Sequence, residues 1–231
     1  MRHFTEIKKI ILRKPLLYIL LLSLIIRVFY LTLDNPLWWD SHVYIGMGKY
    51  IFSGGEIGIW ESFRPLLHPI ILGFFWKLNL EPVIIGKILD LTFSLIAIYL
   101  TYLVGKKIFS KEVGLISALI LSLTSLFIMF TGLILTEPLA ITFSLIGILF
   151  YISQKNQLKL FLAGFFVALS FLTKFPQGII FSALIFVLII KKDKLTTKIK
   201  NLTAVTIGFF IPIMPYLIFN YFRYQNIFEP F

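Results

Sequence analysis

The sequence predicts an all-α membrane protein of about seven transmembrane helices, with a large first extracytoplasmic loop carrying short interfacial helices. Three observations lead there. First, the 231 residues are 58% hydrophobic and 17% aromatic but only 14% charged, and mean hydropathy is +0.92. So few charges cannot cover that much apolar surface in water, so lipid must solvate most of it. Second, the apolar residues are gathered into stretches separated by charge and turn residues. Third, the basic residues concentrate in alternate connections. Residues 1–231 read as one transmembrane module, with 34–82 as its first extracytoplasmic loop.

The first stretch, 15–33, follows Arg2, Lys8, Lys9, Arg13 and Lys14. Its apolar core exceeds the roughly 7–15 residues of a signal peptide, and no small-residue cleavage motif follows, so it reads as an uncleaved span. The loop 34–82 opens with NPLWWDSHVYIGMGKYIF. Trp38 and Trp39 suit a membrane interface. Val43, Met47, Tyr50 and Ile51 recur at helical spacing, which predicts a short helix on the outer leaflet, ended by Ser53-Gly54-Gly55. The run LLHPIILGFFW at 66–76 is short and contains Pro69, so it reads as interfacial or re-entrant. Further spans are expected at 83–104, 113–132, 138–153, 159–174, 177–190 and 202–222. A single helix over 159–190 would measure roughly 48 Å against a hydrocarbon core of about 30 Å. KFPQG at 174–178 supplies the break.

Charge fixes the orientation. With the N-terminus inside, the inner segments hold the five basic residues before the first span, then Lys106, Lys107, Lys111, Lys155, Lys159, Lys191, Lys192, Lys194, Lys198 and Lys200. Most acids lie in outer segments or spans. This bias accounts for the net charge of +11 without a nucleic-acid partner, and it makes the chain N-in and C-out. The sequon Asn201-Leu202-Thr203 then falls at an inner boundary, where it stays unused. With no cysteine, the chain has no disulfide, thiolate metal site or thiol nucleophile. No Gly-rich phosphate loop, HExxH or nucleophile elbow is present.

Two carboxylates in outer segments are candidates for chemistry. Asp40 stands where the loop helix should begin, so it is either a helix N-cap or a general base at the outer surface. Flanking aromatic rings would desolvate it and strengthen the base. Glu137, one residue before Pro138, is either a first-turn acid that suits the helix dipole or a second site carboxylate.

Fragments in order along the chain narrow this. They are LIIRVFYL and DSHVY, then FRPLLHPIILGFF, GKKIFSKEVGLISALIL and LILTEPLA, and finally LAGFFVALSFLTKFPQG and PYLIFNYFRYQNIFEPF. Together they resemble the multi-spanning glycosyltransferases of the GT-C class, especially the protein mannosyltransferases and aminoarabinose transferases. The resemblance implies a polyprenyl-phosphate sugar donor in the membrane lipid, an acceptor hydroxyl at the outer face, and inversion of configuration. It makes Asp40 the base and sets Glu137 near it, to bind the acceptor, orient the base or share a divalent cation with Asp40 and His42. Many relatives have a second acid directly after the first; here stands Ser41.

Expulsion of a lipid phosphate needs fixed cations. Arg64, before Pro65, and Lys174, at the outer end of a short span, are the phosphate candidates, with snorkelling to headgroups as the alternative. Arg27 reads as a snorkelling residue ahead of a phosphate contact, His68 as a hydrogen-bonded structural histidine ahead of a catalytic one, and Tyr44 as a substrate contact or an interfacial tyrosine. The resemblance covers the family's N-terminal module, with later spans absent. The alternative to a complete transferase is therefore a non-catalytic subunit that binds lipid-linked sugar or partners a second transmembrane chain.

Overall fold

A computed structural model describes residues 14–33 and 36–229. Arg2, Lys8, Lys9 and Arg13, counted in the charge bias, lie outside the described residues. Among those described there are ten α-helices and no strand. They are α1 (Pro15–Thr32), α2 (Trp39–Phe52), α3 (Leu67–Lys77), α4 (Pro82–Ile108), α5 (Lys111–Leu123), α6 (Ser125–Met129), α7 (Glu137–Ile152), α8 (Gln157–Thr173), α9 (Gly178–Ile190) and α10 (Leu195–Tyr224). A 3-10 turn, Phe175–Gln177, separates α8 from α9, so the break expected in KFPQG is present.

Local sequence explains the helix starts. Pro15, Pro82 and Pro138 lie at the first positions of their helices, where a missing N–H costs nothing. Glu81 accepts from the Val83 N–H at 3.2 Å, Ser110 from Val113 at 3.3 Å and Asn156 from Lys159 at 3.1 Å. Each is a side-chain cap on donors that the helix leaves unpaired. Pro69 sits within the first turn of α3, where its ring displaces no intrahelical bond, so the helix runs on to Lys77.

Among the described residues three helices are long and apolar enough to cross a bilayer: α1, α4 and α10, with 18, 27 and 30 residues. α7, α8 and α9 are apolar but shorter; the 13 residues of α9 extend only about 20 Å. Leu17, Leu21, Ile25 and Phe29 form an exposed apolar stripe along α1, a face suited to lipid.

The stretch expected as one span over 113–132 is broken. α5 ends at Leu123, Thr124 adopts an extended conformation, and α6 adds one short turn. The Thr124 hydroxyl donates back to the Ile120 carbonyl at 2.8 Å, a bond that competes with helix continuation. Arg27 takes up one carbonyl at this break. Its Nη1 donates to Ser122 O at 3.1 Å, and also to the Ser23 hydroxyl, while its guanidinium lies over the Phe127 ring. Arg27 is fully buried and does not snorkel.

α8 lies at the centre, packed on α7 and α10. The α8–α10 crossing is close because it is made at glycines: a Cβ on Gly164 would sit 2.9 Å from the Phe209 nitrogen. α2 and α3 meet the same way, since a Cβ on Gly48 would lie 2.6 Å from the Pro69 carbonyl oxygen and 2.7 Å from the Gly73 nitrogen. The loop helix thereby docks on the bundle through Val43 and Met47, both fully buried. The expected stop at Ser53 is observed. Asn201 is buried, and its Oδ1 accepts from Gln157 Nε2 at 2.9 Å.

Candidate functional site

Asp40 lies in the first turn of α2. The N-cap position falls to Trp38, and no side chain caps this end. The cap alternative is thereby corrected, because the Asp40 carboxylate is turned to Arg64, whose Nη2 donates to Oδ1 at 2.7 Å. Arg64 is held on three sides. Its Nε donates to Glu61 Oε2 at 2.8 Å, its Nη1 to the Tyr44 hydroxyl at 3.2 Å, and its guanidinium lies over the rings of Tyr44 and Phe63. Burial works against its charge, but the bonds to Asp40, Glu61 and Tyr44 outweigh it and raise the pKa above the usual arginine value. The Arg64 side chain is 14% exposed and that of Asp40 45%. The neighbouring indoles are also open to the surroundings, so they do not desolvate Asp40 as expected.

Tyr44 is buried, and its ring stacks on His68 with centroids 5.3 Å apart. Burial lowers the His68 pKa to about 4, so the imidazole is neutral. His68 Nδ1 has no hydrogen-bond partner among the described residues. The imidazole stacks on Tyr44, and its Nδ1 lacks the partner that the expected hydrogen-bonded role calls for.

Glu137 opens α7, and Lys174 closes α8. They meet at 2.6 Å between Oε1 and Nζ, while Glu137 Oε2 is buried without a partner among the described residues. The turn before α7 connects this pair to the first. The Ser41 hydroxyl donates to the Leu133 carbonyl, and the Asp90 carboxylate on α4 accepts the Ile134 N–H at 2.8 Å. Ile134 has φ +54, a left-handed conformation that costs a β-branched residue roughly 1–3 kcal/mol. Two residues here escaped sequence reasoning. Asp90 carried a readable signal, a carboxylate inside an apolar span. Glu61 carried little, since acids three residues from an arginine are common in loops.

An apolar cavity of about 330 Å³ is lined by residues that neighbour two of these charges in sequence. Its walls include Leu66 and Leu67, just beyond Arg64, and Leu172, just before Lys174, together with Trp60 and Tyr216. No group of three or more His, Asp or Glu side chains gathers as a cation ligand set among the described residues. Chemically, the arrangement offers two cations for an anion, carboxylates for a proton and an apolar space for a chain.

An apolar helical bundle with ion-paired carboxylates and an apolar cavity defines a membrane protein with charged pairs set among its helices. The sequence model of the dolichyl-phosphate-mannose-protein mannosyltransferase family matches residues 63–219. The chain belongs to that family and is a membrane glycosyltransferase. The matched stretch takes in Arg64, Glu137 and Lys174, whereas Asp40 and Tyr44 precede it. Neither a curated protein nor a solved structure matches the chain.

Proposed function

We propose that this chain transfers a sugar from a polyprenyl-phosphate donor to an acceptor hydroxyl at the extracytoplasmic face, with inversion, and that Asp40 is the base. Its seven apolar segments cross the membrane N-in and C-out, with the loop 34–82 outside. The observation that supports this most is the Asp40–Arg64–Tyr44 cluster. It unites a proton acceptor and an anion binder within one contact, and the residues just beyond Arg64 line a cavity that suits a prenyl chain.

The donor phosphate binds Arg64, with Lys174 as the second cation. Binding draws Arg64 away from Asp40 and frees that carboxylate. The acceptor hydroxyl, hydrogen-bonded to Asp40, attacks the anomeric carbon from the face opposite the phosphate. The carbon–oxygen bond to the phosphate breaks, the hydroxyl proton passes to Asp40, and the phosphate leaves with its charge held by Arg64 and Lys174. Glu137 keeps Lys174 oriented and receives the acceptor through its free oxygen.

Asp40→Asn tests this. Asparagine can still accept from Arg64, so the local fold is kept, but it cannot take a proton. Sugar transfer in membranes, measured over a panel of polyprenyl-phosphate sugars, should fall on the order of 10²–10⁴-fold at unchanged protein level. Unaltered transfer by the variant would refute Asp40 as the base.

A further inference from the structure

Asp90 is a carboxylate deep in the bundle that the proposed reaction does not use. It lies on α4, is 3% exposed, and has no cation partner among the described ion pairs. Burial of a carboxylate in such a setting needs compensation. The compensation is backbone: Asp90 Oδ2 accepts the Ile134 N–H at 2.8 Å. One turn earlier, Gly86 leaves a notch for the Ile134 side chain; a Cβ there would lie 2.6 Å from Ile134 Cγ2. Ile134 is fully buried and is held at φ +54. α4 thus grips both the side chain and the N–H of a residue in a conformation that it would not adopt alone. The Ser41 hydroxyl fixes the preceding carbonyl, Leu133 O. Three residues beyond Ile134 stands Glu137.

We propose that Asp90 is a positioning residue for Glu137, acting by clamping the left-handed turn at Ile134, and this rests on the reading of Glu137 as a site carboxylate. Without the clamp the turn relaxes toward a right-handed backbone, and α7 begins in a different register against Lys174.

Two readouts separate this from a general packing role. The chain has no cysteine, so Thr136→Cys provides a single thiol at a buried position of the turn. Labelling by a water-soluble maleimide should be slow with Asp90 and with Asp90→Asn, which keeps an acceptor oxygen. It should quicken at least tenfold with Asp90→Ala, at equal recovery of folded protein. Equal rates in all three overturn the clamp, and this arm needs no enzymatic activity. In the transfer assay Asp90→Ala should lower turnover ten- to hundredfold with little change in donor KM, and Asp90→Asn only a few-fold. Combining Asp90→Ala with Glu137→Gln should be no worse than the slower single variant. Multiplicative losses would overturn the link to Glu137 even if the turn is clamped.

Discussion

At the scale of single residues, Arg64 decides what the site can hold. Three fixed acceptors meet one planar guanidinium, a geometry that lysine cannot reproduce with a single ammonium. Arg64→Lys should therefore lower transfer tenfold or more and raise the apparent KM for donor, measured with increasing polyprenyl-phosphate sugar. An unchanged KM would remove Arg64 from the phosphate site. His68 gives a prediction in pH. Its pKa is about 4 in the fold against an ordinary value of 6.5, so the unfolded chain binds the extra proton between those values. Stability is complete above about pH 6.5 and declines as pH falls toward 4, by up to roughly 3 kcal/mol. Thermal unfolding in detergent should show this slope, and His68→Phe should flatten it. Asp40, Glu137, Arg64 and Lys174 were legible as charges that need a reason in an apolar chain. Their pairing was not legible, because which acid faces which base depends on how distant segments pack. The same holds for Ser41. In sequence it is a missing acid, whereas in the fold it is a fully buried donor to Leu133 O.

At the scale of elements, the α2–α3 crossing sets where Asp40 stands relative to Arg64. Both helices flank the loop that carries Arg64, and their backbones touch at Gly48 and Gly73. Alanine at Gly48 would collide with the Pro69 carbonyl and the Gly73 nitrogen, neither of which is a flexible side chain. The helices must separate, at a cost of roughly 1–3 kcal/mol. Gly48→Ala should lower the unfolding temperature and reduce transfer, while Glu56→Ala, in the exposed turn after the loop helix, should leave the α2–α3 contact intact. Equal transfer by the Gly48 variant and the parent would show that the crossing does not position Asp40. Periodicity located α2 and its end at Ser53, since both signals are local. The break between α5 and α6 was hidden. Leu123-Thr124-Ser125 is compatible with a helix, and what favours the break includes Arg27, which reaches Ser122 O from nearly a hundred residues away in sequence.

At the scale of the whole molecule, composition settled the class, because a 58% hydrophobic chain has no other solvent than lipid. The count of crossings does not follow from apolar character alone, for α7 and α8 owe theirs to burial in the bundle as much as to lipid, whereas α9 buries only Leu184 and Leu188. The charge bias supplies a test that does not depend on helix length. If the chain is N-in and C-out, Gly54 in the first loop faces outward, and Lys192, between α9 and α10, faces the cytoplasm. Both positions are exposed, and the absence of native cysteine makes single substitutions clean reporters. In intact cells a membrane-impermeant maleimide should label Gly54→Cys and spare Lys192→Cys until the membrane is opened. The reverse pattern would invert the topology and put Asp40 and Arg64 on the cytoplasmic face. Labelling of both from outside would mean an even number of crossings between them, against the five expected from α4, α5–α6, α7, α8 and α9. The two thiols thus test the side on which the site opens and the parity of the bundle together.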